Sequence, residues 1–478
     1  MFAKLERIAF FSICFHTIGC LRVQHWLQTR SLPHSNSTFY TDYLTQNLDN
    51  FDALNNATYN QRYHVNLAHA KNNGPVFIYI GGEGPLENSA IASGHTFEMG
   101  VEYGAYMVAL EHRYYGRSLN RNSLELENLK YLSSEQALAD IAVFKEFIMK
   151  NLSLPRDTKW VSFGGSYPGS LSAWLRIMYP NVVHAAVASS APVRAKVDFY
   201  EYQRSLTEAF ENPEIGGSQL CLNTAASGYR KLLNFIKKKS YKLIGKEFVL
   251  CEPITSENDI ASFSGSISDI IAGVVQYNNV NSRTGPQLNV KSLCDVFTSL
   301  SDDPYKALIA VTKTYLNVTK ATCIDASYKS MINDLLNDTY TTSDSDRQWV
   351  YQTCAEFGYF QSCEKDCITL PMNSLKFNEQ LCQDVYGLHQ MTQRVDRTNS
   401  FYGSNNPKGS RIIFVNGSVD PWHNLSVLEN LTDDQIAIFI NGTAHCADMG
   451  DPLPTDPPQL TAARLHIAEE VGKFLELD

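Results

Sequence analysis

The chain has 478 residues, 44% hydrophobic and 19% charged, a globular composition with length for a core and a second lobe. Its net charge of −10 argues against a general nucleic-acid binder, which would be basic. The triple Lys237-Lys238-Lys239 is a local exception and reads as a solvated helix face.

The chain opens "MFAKLERIAFFSICFHTIGC". Lys4 and Arg7 precede a short apolar run, Ile8 to Cys20. That run is too short to span a bilayer, which takes ~20 apolar residues. It predicts a signal peptide over residues 1–20, cut near Cys20, and no later run is long enough to cross a membrane. Nine Asn-x-Ser/Thr sequons fit an exported glycoprotein. Asn36, Asn56, Asn151, Asn317, Asn337, Asn424 and Asn430 are expected to carry glycans. Asn416 is not, because it ends a strand expected to be buried; Asn441 is the ninth.

Six short apolar runs end in glycine or a small polar residue: "VFIYIGGEG" (76–84), "YMVALEHRYYG" (106–116), "WVSFGGS" (160–166), "HAAVASSAP" (184–192), "RIIFVNGSVD" (411–420) and "IAIFING" (436–442). Continuous apolar runs suit strands buried on both faces of a parallel sheet. Helical patterns alternate with them. One opens with Ser133 and Gln136 at capping-box spacing; another follows Ser166; a third closes the chain. The alternation predicts a doubly wound α/β core built from residues 21–195 and 385–478. Between them, 196–384 is helix-like and holds eight of the cysteines, Cys221 through Cys382. It reads as an inserted, mostly helical cap braced by disulfides. The cysteines lack the paired spacing of a zinc site, and Cys446 stands alone.

"WVSFGGSYPGSLSAW" (160–174) has the strand–glycine–serine–helix layout of a nucleophile elbow. The usual pattern is G-x-S-x-G, but here Pro168 stands two after Ser166 and glycine comes one place late. A proline is tolerated in a first helical turn, yet it constrains Tyr167 before it. On an α/β-hydrolase sheet the partners follow in the order acid, then histidine. Asp420 and His445 each follow a late apolar run, where loops over the sheet's carboxyl edge gather catalytic groups. His423 is a rival base, but it sits three residues from Asp420. The oxyanion hole should take backbone N–H groups from Tyr167 and from Gly82 in "YIGGEGP".

"GGEGP", "EHRYYG", "YLSSEQALAD", "GGSYPGSLSAW", "YQTCAEFGYFQSCE" and "VNGSVDPWHNLS…GTAHCADM" resemble the lysosomal Pro-Xaa carboxypeptidase and dipeptidyl peptidase family of serine peptidases. Within it they are most similar to the thymus-specific serine protease branch. The resemblance runs in order from about residue 38 to the end. It implies an α/β-hydrolase core under a helical cap, with Ser166, Asp420 and His445 as the triad. It also implies that Trp422 lines a pocket for a proline-like residue. The same resemblance suggests the pairs Cys221–Cys294, Cys251–Cys323, Cys354–Cys382 and Cys363–Cys367. Family members usually have glycine or alanine where Pro168 stands.

The expectation is a secreted or lysosomal serine exopeptidase acting on peptides, with no cofactor, no metal and no nucleic-acid partner. A homodimer is one assembly the sequence allows. An esterase, or an impaired hydrolase with a binding role, are the alternatives. Either mode of end-trimming needs a charged anchor. Glu83 and Glu356 are candidates for an N-terminal amine, Arg113 and Arg117 for a carboxylate. An acidic optimum is expected; Asp420 should raise His445, so work in acid needs burial or a nearby cation to favour the neutral ring, and the sequence does not decide which influence wins.

Overall fold

A computed structural model describes residues 39–119, 124–280, 288–365 and 367–477. The expected signal segment 1–20 and the sequon at Asn36 lie outside the described residues.

Each of the six apolar runs forms a strand. They are β3 (Val76–Ile80), β4 (Tyr106–Leu110), β5 (Trp160–Gly165), β6 (Ala185–Ser189), β9 (Ile412–Gly417) and β10 (Gln435–Ile440). Two further strands, β1 (Phe39–Asn47) and β2 (Thr58–Asn66), complete an eight-stranded sheet in the order β1-β2-β4-β3-β5-β6-β9-β10. β3 to β6, β9 and β10 are mutually parallel, and β1 and β2 are antiparallel to their neighbours. The sheet is covered on both sides, which is why the parallel strands are apolar throughout rather than alternating. Val76, Ile78 and Ile80 of β3 pack with Phe144 and Trp174 on one face. Phe77 packs with Met99, Ile467 and Val471 on the other. Helices Ser134–Asn151 and Tyr167–Met178 supply the first layer, Gly94–Tyr103 and Pro458–Glu476 the second. Ser133 caps the helix after it, accepting the Gln136 N–H at 3.2 Å. The chain thus has the α/β-hydrolase type of core, a mostly parallel sheet between helices.

Among the described residues, no strand of the main sheet comes from the long segment between β6 and β9. That segment holds helices including Gln219–Lys237, Glu257–Gln276 and Pro304–Thr319, and a two-stranded parallel pair, β7 (Lys196–Asp198) and β8 (Gly358–Phe360). Four disulfides brace it: Cys221–Cys294, Cys251–Cys323, Cys354–Cys382 and Cys363–Cys367, with Cα separations of 5.1, 5.1, 5.6 and 5.4 Å, inside the usual range for such bonds. Its apolar side chains Leu232, Phe263 and Ile270 belong to the same cluster as Trp174 and Trp422, so the helical segment and the sheet share one core. No helix among the described residues is long and apolar enough to cross a membrane.

Candidate active site

β5, β6, β9 and β10 end at one edge of the sheet, with Gly165 paired to Ser189, Ser189 to Val415, and Gly417 to Ile440. Ser166, Asp420 and His445 all leave from that edge.

Ser166 is the first residue after β5, at φ 64° and ψ −132°. A non-glycine residue in this region stores strain and is held there by its surroundings. Here its N–H donates to the Ser189 carbonyl at 2.9 Å. Two glycines allow the turn to close. A Cβ on Gly164 would stand 2.2 Å from the Pro168 carbonyl oxygen, and one on Gly169 would stand 2.8 Å from the Ser189 carbonyl oxygen. The glycine displaced by one place thus meets the next strand as closely as the turn requires. Pro168 is the second residue of the helix, a position that needs no intrahelical N–H bond.

Asp420 is fully buried. Its Oδ1 accepts the Trp422 N–H at 2.9 Å, and its Oδ2 lies 2.9 Å from His445 Nδ1. A carboxylate can only accept, so the imidazole proton sits on Nδ1 and Nε2 faces away with its lone pair. His445 is 1% exposed, and its Nε2 has no hydrogen-bond partner in the protein. The Ser166 hydroxyl therefore does not bond it in this structure; such bonds are often long before substrate arrives. His423 points elsewhere: its Nδ1 lies 2.6 Å from the Asp420 main-chain oxygen and its ring meets Phe439 edge-on.

Burial is the largest single influence on the His445 imidazole and pushes it toward its neutral form, but Asp420 and Cys446 together outweigh burial and hold the group well above its ordinary value. The sequence left open whether Asp420 or burial would win, and the direction here is toward the charged ring.

Several positioning residues escaped the sequence reading. Gln276, the last residue of helix Glu257–Gln276, accepts the His445 main-chain N–H on its carbonyl at 2.9 Å. Its side-chain oxygen accepts the Trp422 indole N–H at 2.8 Å and the Tyr202 hydroxyl at 2.7 Å. The Tyr167 hydroxyl lies 2.9 Å from His112 Nε2 and accepts from Gln352 Nε2 at 3.0 Å. His112 and Gln352 lie inside the motifs "EHRYYG" and "YQTCAEF", but no periodicity marks their side chains as neighbours of Tyr167. Ser190 Oγ accepts the Cys446 N–H at 2.8 Å. Cys446 is unpaired, and burial pushes its thiol up.

A cleft opens beside the elbow, lined by Gly82, Glu83, Gly165, Pro168 and Asp346 among others. Gly82 packs against Pro168, whose Cγ would stand 2.3 Å from any Cβ on that glycine. Trp422, 5% exposed, sits among Phe199, Tyr202 and Tyr359 with its ring centroid 6.4 Å from that of His445.

Residues 46–467 match the family described as serine carboxypeptidase S28. The chain belongs to the S28 family of serine peptidases. It is 35% identical to the thymus-specific serine protease of Mus musculus, covering 91% of this chain and 87% of that protein. Its identity to the lysosomal Pro-X carboxypeptidase of Mus musculus is 28%, over 91% of this chain and 88% of that one. An esterase from Pyrobaculum calidifontis superposes with a TM-score of 0.38 at 10% identity, covering 95% of this chain and 88% of that one, too distant to carry a functional argument.

The four anchors that sequence left open fare differently in this S28 peptidase. Arg113 is spent: it pairs with Asp140 through two bonds of 2.7 Å and donates to the Leu48 and Tyr131 carbonyls. Arg117 is exposed and does not line the cleft. The Glu356 carboxylate accepts from the Ser134 N–H and hydroxyl, capping the same helix that Ser133 caps. Glu83 is 6% exposed, lines the cleft, and leaves Oε2 without a partner. Burial raises both carboxyls to about 7.

The remaining sequons divide by burial. Asn56, Asn151, Asn317, Asn337, Asn430 and Asn441 are exposed. Asn416 is 1% exposed. Asn424 is half-buried, with Nδ2 donating to Ser205 Oγ and the Pro421 carbonyl.

Proposed function

We propose that this S28 peptidase trims short peptides through a Ser166–His445–Asp420 triad and an acyl-enzyme. The observation that carries the reading is the buried Asp420–His445 pair, bonded at 2.9 Å, with Nε2 unpartnered, at the sheet edge where Ser166 stands on a strained turn. His445 Nε2 takes the Ser166 proton as Oγ bonds to the substrate carbonyl carbon. The oxyanion accepts from the N–H groups of Tyr167 and Gly82. The imidazolium returns the proton to the leaving amine as the C–N bond breaks. Water then attacks the ester, giving its proton to Nε2, and the acid leaves as Oγ recovers the proton.

Residues 196–384 form the cap in this reading, and a cap restricts access to chain ends rather than folded proteins. Trp422, within an aromatic group beside His445, suits a proline-like ring next to the cleaved bond. The sequons, the disulfides and the lysosomal name of one relative support a place in the secretory pathway or lysosome. The test is a fluorophosphonate label on the full chain, followed by mass spectrometry. Labelling at Ser166, lost in Ser166→Ala together with peptide cleavage, is expected. Cleavage by the Ser166→Ala variant at the wild-type rate refutes the assignment.

A further inference from the structure

We propose that Glu83 binds a substrate ammonium, the free α-amino end of a short peptide, in the cleft beside Ser166. The inference rests on the serine-peptidase reading above and adds which end of the chain is held.

The cleft has one electrostatic character. Among the described residues lining it, Glu83, Glu87 and Asp346 are acidic and none is Lys, Arg or His. Arg113 is committed to Asp140 and Arg62 to Glu111, while the His445 imidazole acts on Glu83 from outside the lining. A peptide carboxylate entering this cleft would lose its water and meet Glu87 and Asp346 across from Glu83, an unfavourable exchange. An ammonium would meet the reverse.

Glu83 is placed to receive it. Its carboxyl is withdrawn from water with Oε2 unpartnered, and buried polar groups normally find a partner. The chain turn that holds it also presents Gly82 to Pro168, so the anchor and the elbow share a wall. The charged or titratable groups facing Glu83 are His445, Tyr79 and Tyr115, with Glu87 and Asp346 across the cleft. The tyrosines are pushed up by burial and stay neutral. A buried carboxyl held at about 7 is half-protonated near neutrality. A peptide α-amino group has its own value near ~7.7 to ~8.0. Brought together, the two exchange their proton in the favourable direction and form an ion pair.

An ammonium can come from the chain end or from a lysine side chain, and the experiment separates them. The full-length protein digests three sets of peptides, with rates and products read by mass spectrometry. One set differs only by N-terminal acetylation, one only by C-terminal amidation, and one only by Lys replaced with norleucine. Acetylation is expected to lower kcat/KM by about 10²-fold, the usual scale for removing one partner of a buried charge pair, with the loss mainly in KM. Amidation and norleucine are expected to change it less than about threefold. In Glu83→Gln the gap between free and acetylated peptides should shrink to within about tenfold. Should that variant fail to fold, the wild-type comparison still decides. Equal cleavage of free and acetylated peptides overturns the proposal, as does loss on amidation. Loss on norleucine substitution overturns the assignment to the chain end. Fluorophosphonate labelling of Ser166 without any preference for a free amine sinks Glu83 alone. A folded but unlabelled protein sinks the serine reading itself.

Discussion

Gly82 and Pro168 fit against each other with no room for another atom: a Cβ on Gly82 would stand 2.3 Å from Pro168 Cγ and 2.8 Å from Cδ. The proline that breaks the usual elbow pattern therefore buttresses the turn expected to supply the second oxyanion N–H. Gly82→Ala must push one loop off the other. A loss of about 10² to 10³ in kcat is expected if the donor moves out of reach. Pro168→Ala vacates the space, so the double variant should recover part of the loss. Steady-state kinetics of the three variants form a cycle; purely additive losses would show that the two residues act separately.

His445→Ala should cost far more activity than His423→Ala. His445 is bonded to Asp420 Oδ2, whereas His423 reaches only the main-chain oxygen of Asp420. A triad base removed costs on the order of 10⁶ in kcat. Equal losses would overturn the assignment of the base.

The pH profile follows from the raised value of His445. The base must be neutral in the free enzyme, so kcat/KM should climb with pH and its ascending limb should lie above the ordinary imidazole value of ~6.5. Asp420→Asn removes the charge that raises it. The limb should then move to lower pH while the rate itself drops. Initial rates on one peptide from pH ~5 to ~9 test both statements. Activity highest in acid and falling toward neutrality would contradict them.

Stability should move the other way. Glu83 and Glu356 are raised from 4.5 to about 7, so between those values the folded chain binds protons that the unfolded chain has released. Stability contributed by these groups is full below about 4.5 and falls as pH rises to about 7. Glu356→Gln keeps an acceptor for Ser134 and cannot ionise, so its Tm should depend less steeply on pH over that window. Thermal melts of both proteins check this; an unchanged slope would mean that Glu356 ionises freely in the folded state.

Glycans should follow burial. Asn416 has its Nδ2 bonded to the Val427 carbonyl at 3.1 Å inside the core and should be unoccupied. Exposed Asn317 and Asn337 should be occupied. Site-mapped glycopeptides settle this, and high occupancy at Asn416 would count against burial of β9.

The parallel strands were legible because burial on both faces writes itself as unbroken apolar runs. β1 and β2 were not. "FYTDYLTQN" is mostly exposed and "TYNQRYHVN" carries polar residues even where it is buried, so neither shows the unbroken apolar run of the parallel strands. The residues after the strand ends could be placed by pattern. The polar contacts behind them could not. Gln276 reaches His445 across 169 positions of sequence, a link that tertiary packing alone creates. Likewise Glu83 and Glu356 look equivalent in the sequence. Only the hydrogen bonds of Ser134 separate a helix cap from a carboxyl left unpaired.

That contact from Gln276 ties helix Glu257–Gln276 to the loop that carries His445. The last turn of helix Glu257–Gln276 holds the His445 main chain, the Trp422 indole and the Tyr202 hydroxyl together. Lifting the helix far enough to admit a folded protein would pull the strut from behind the imidazole. In the proposed mechanism, opening the molecule would therefore disarm it, and the bonds that hold the histidine would also restrict what is cleaved.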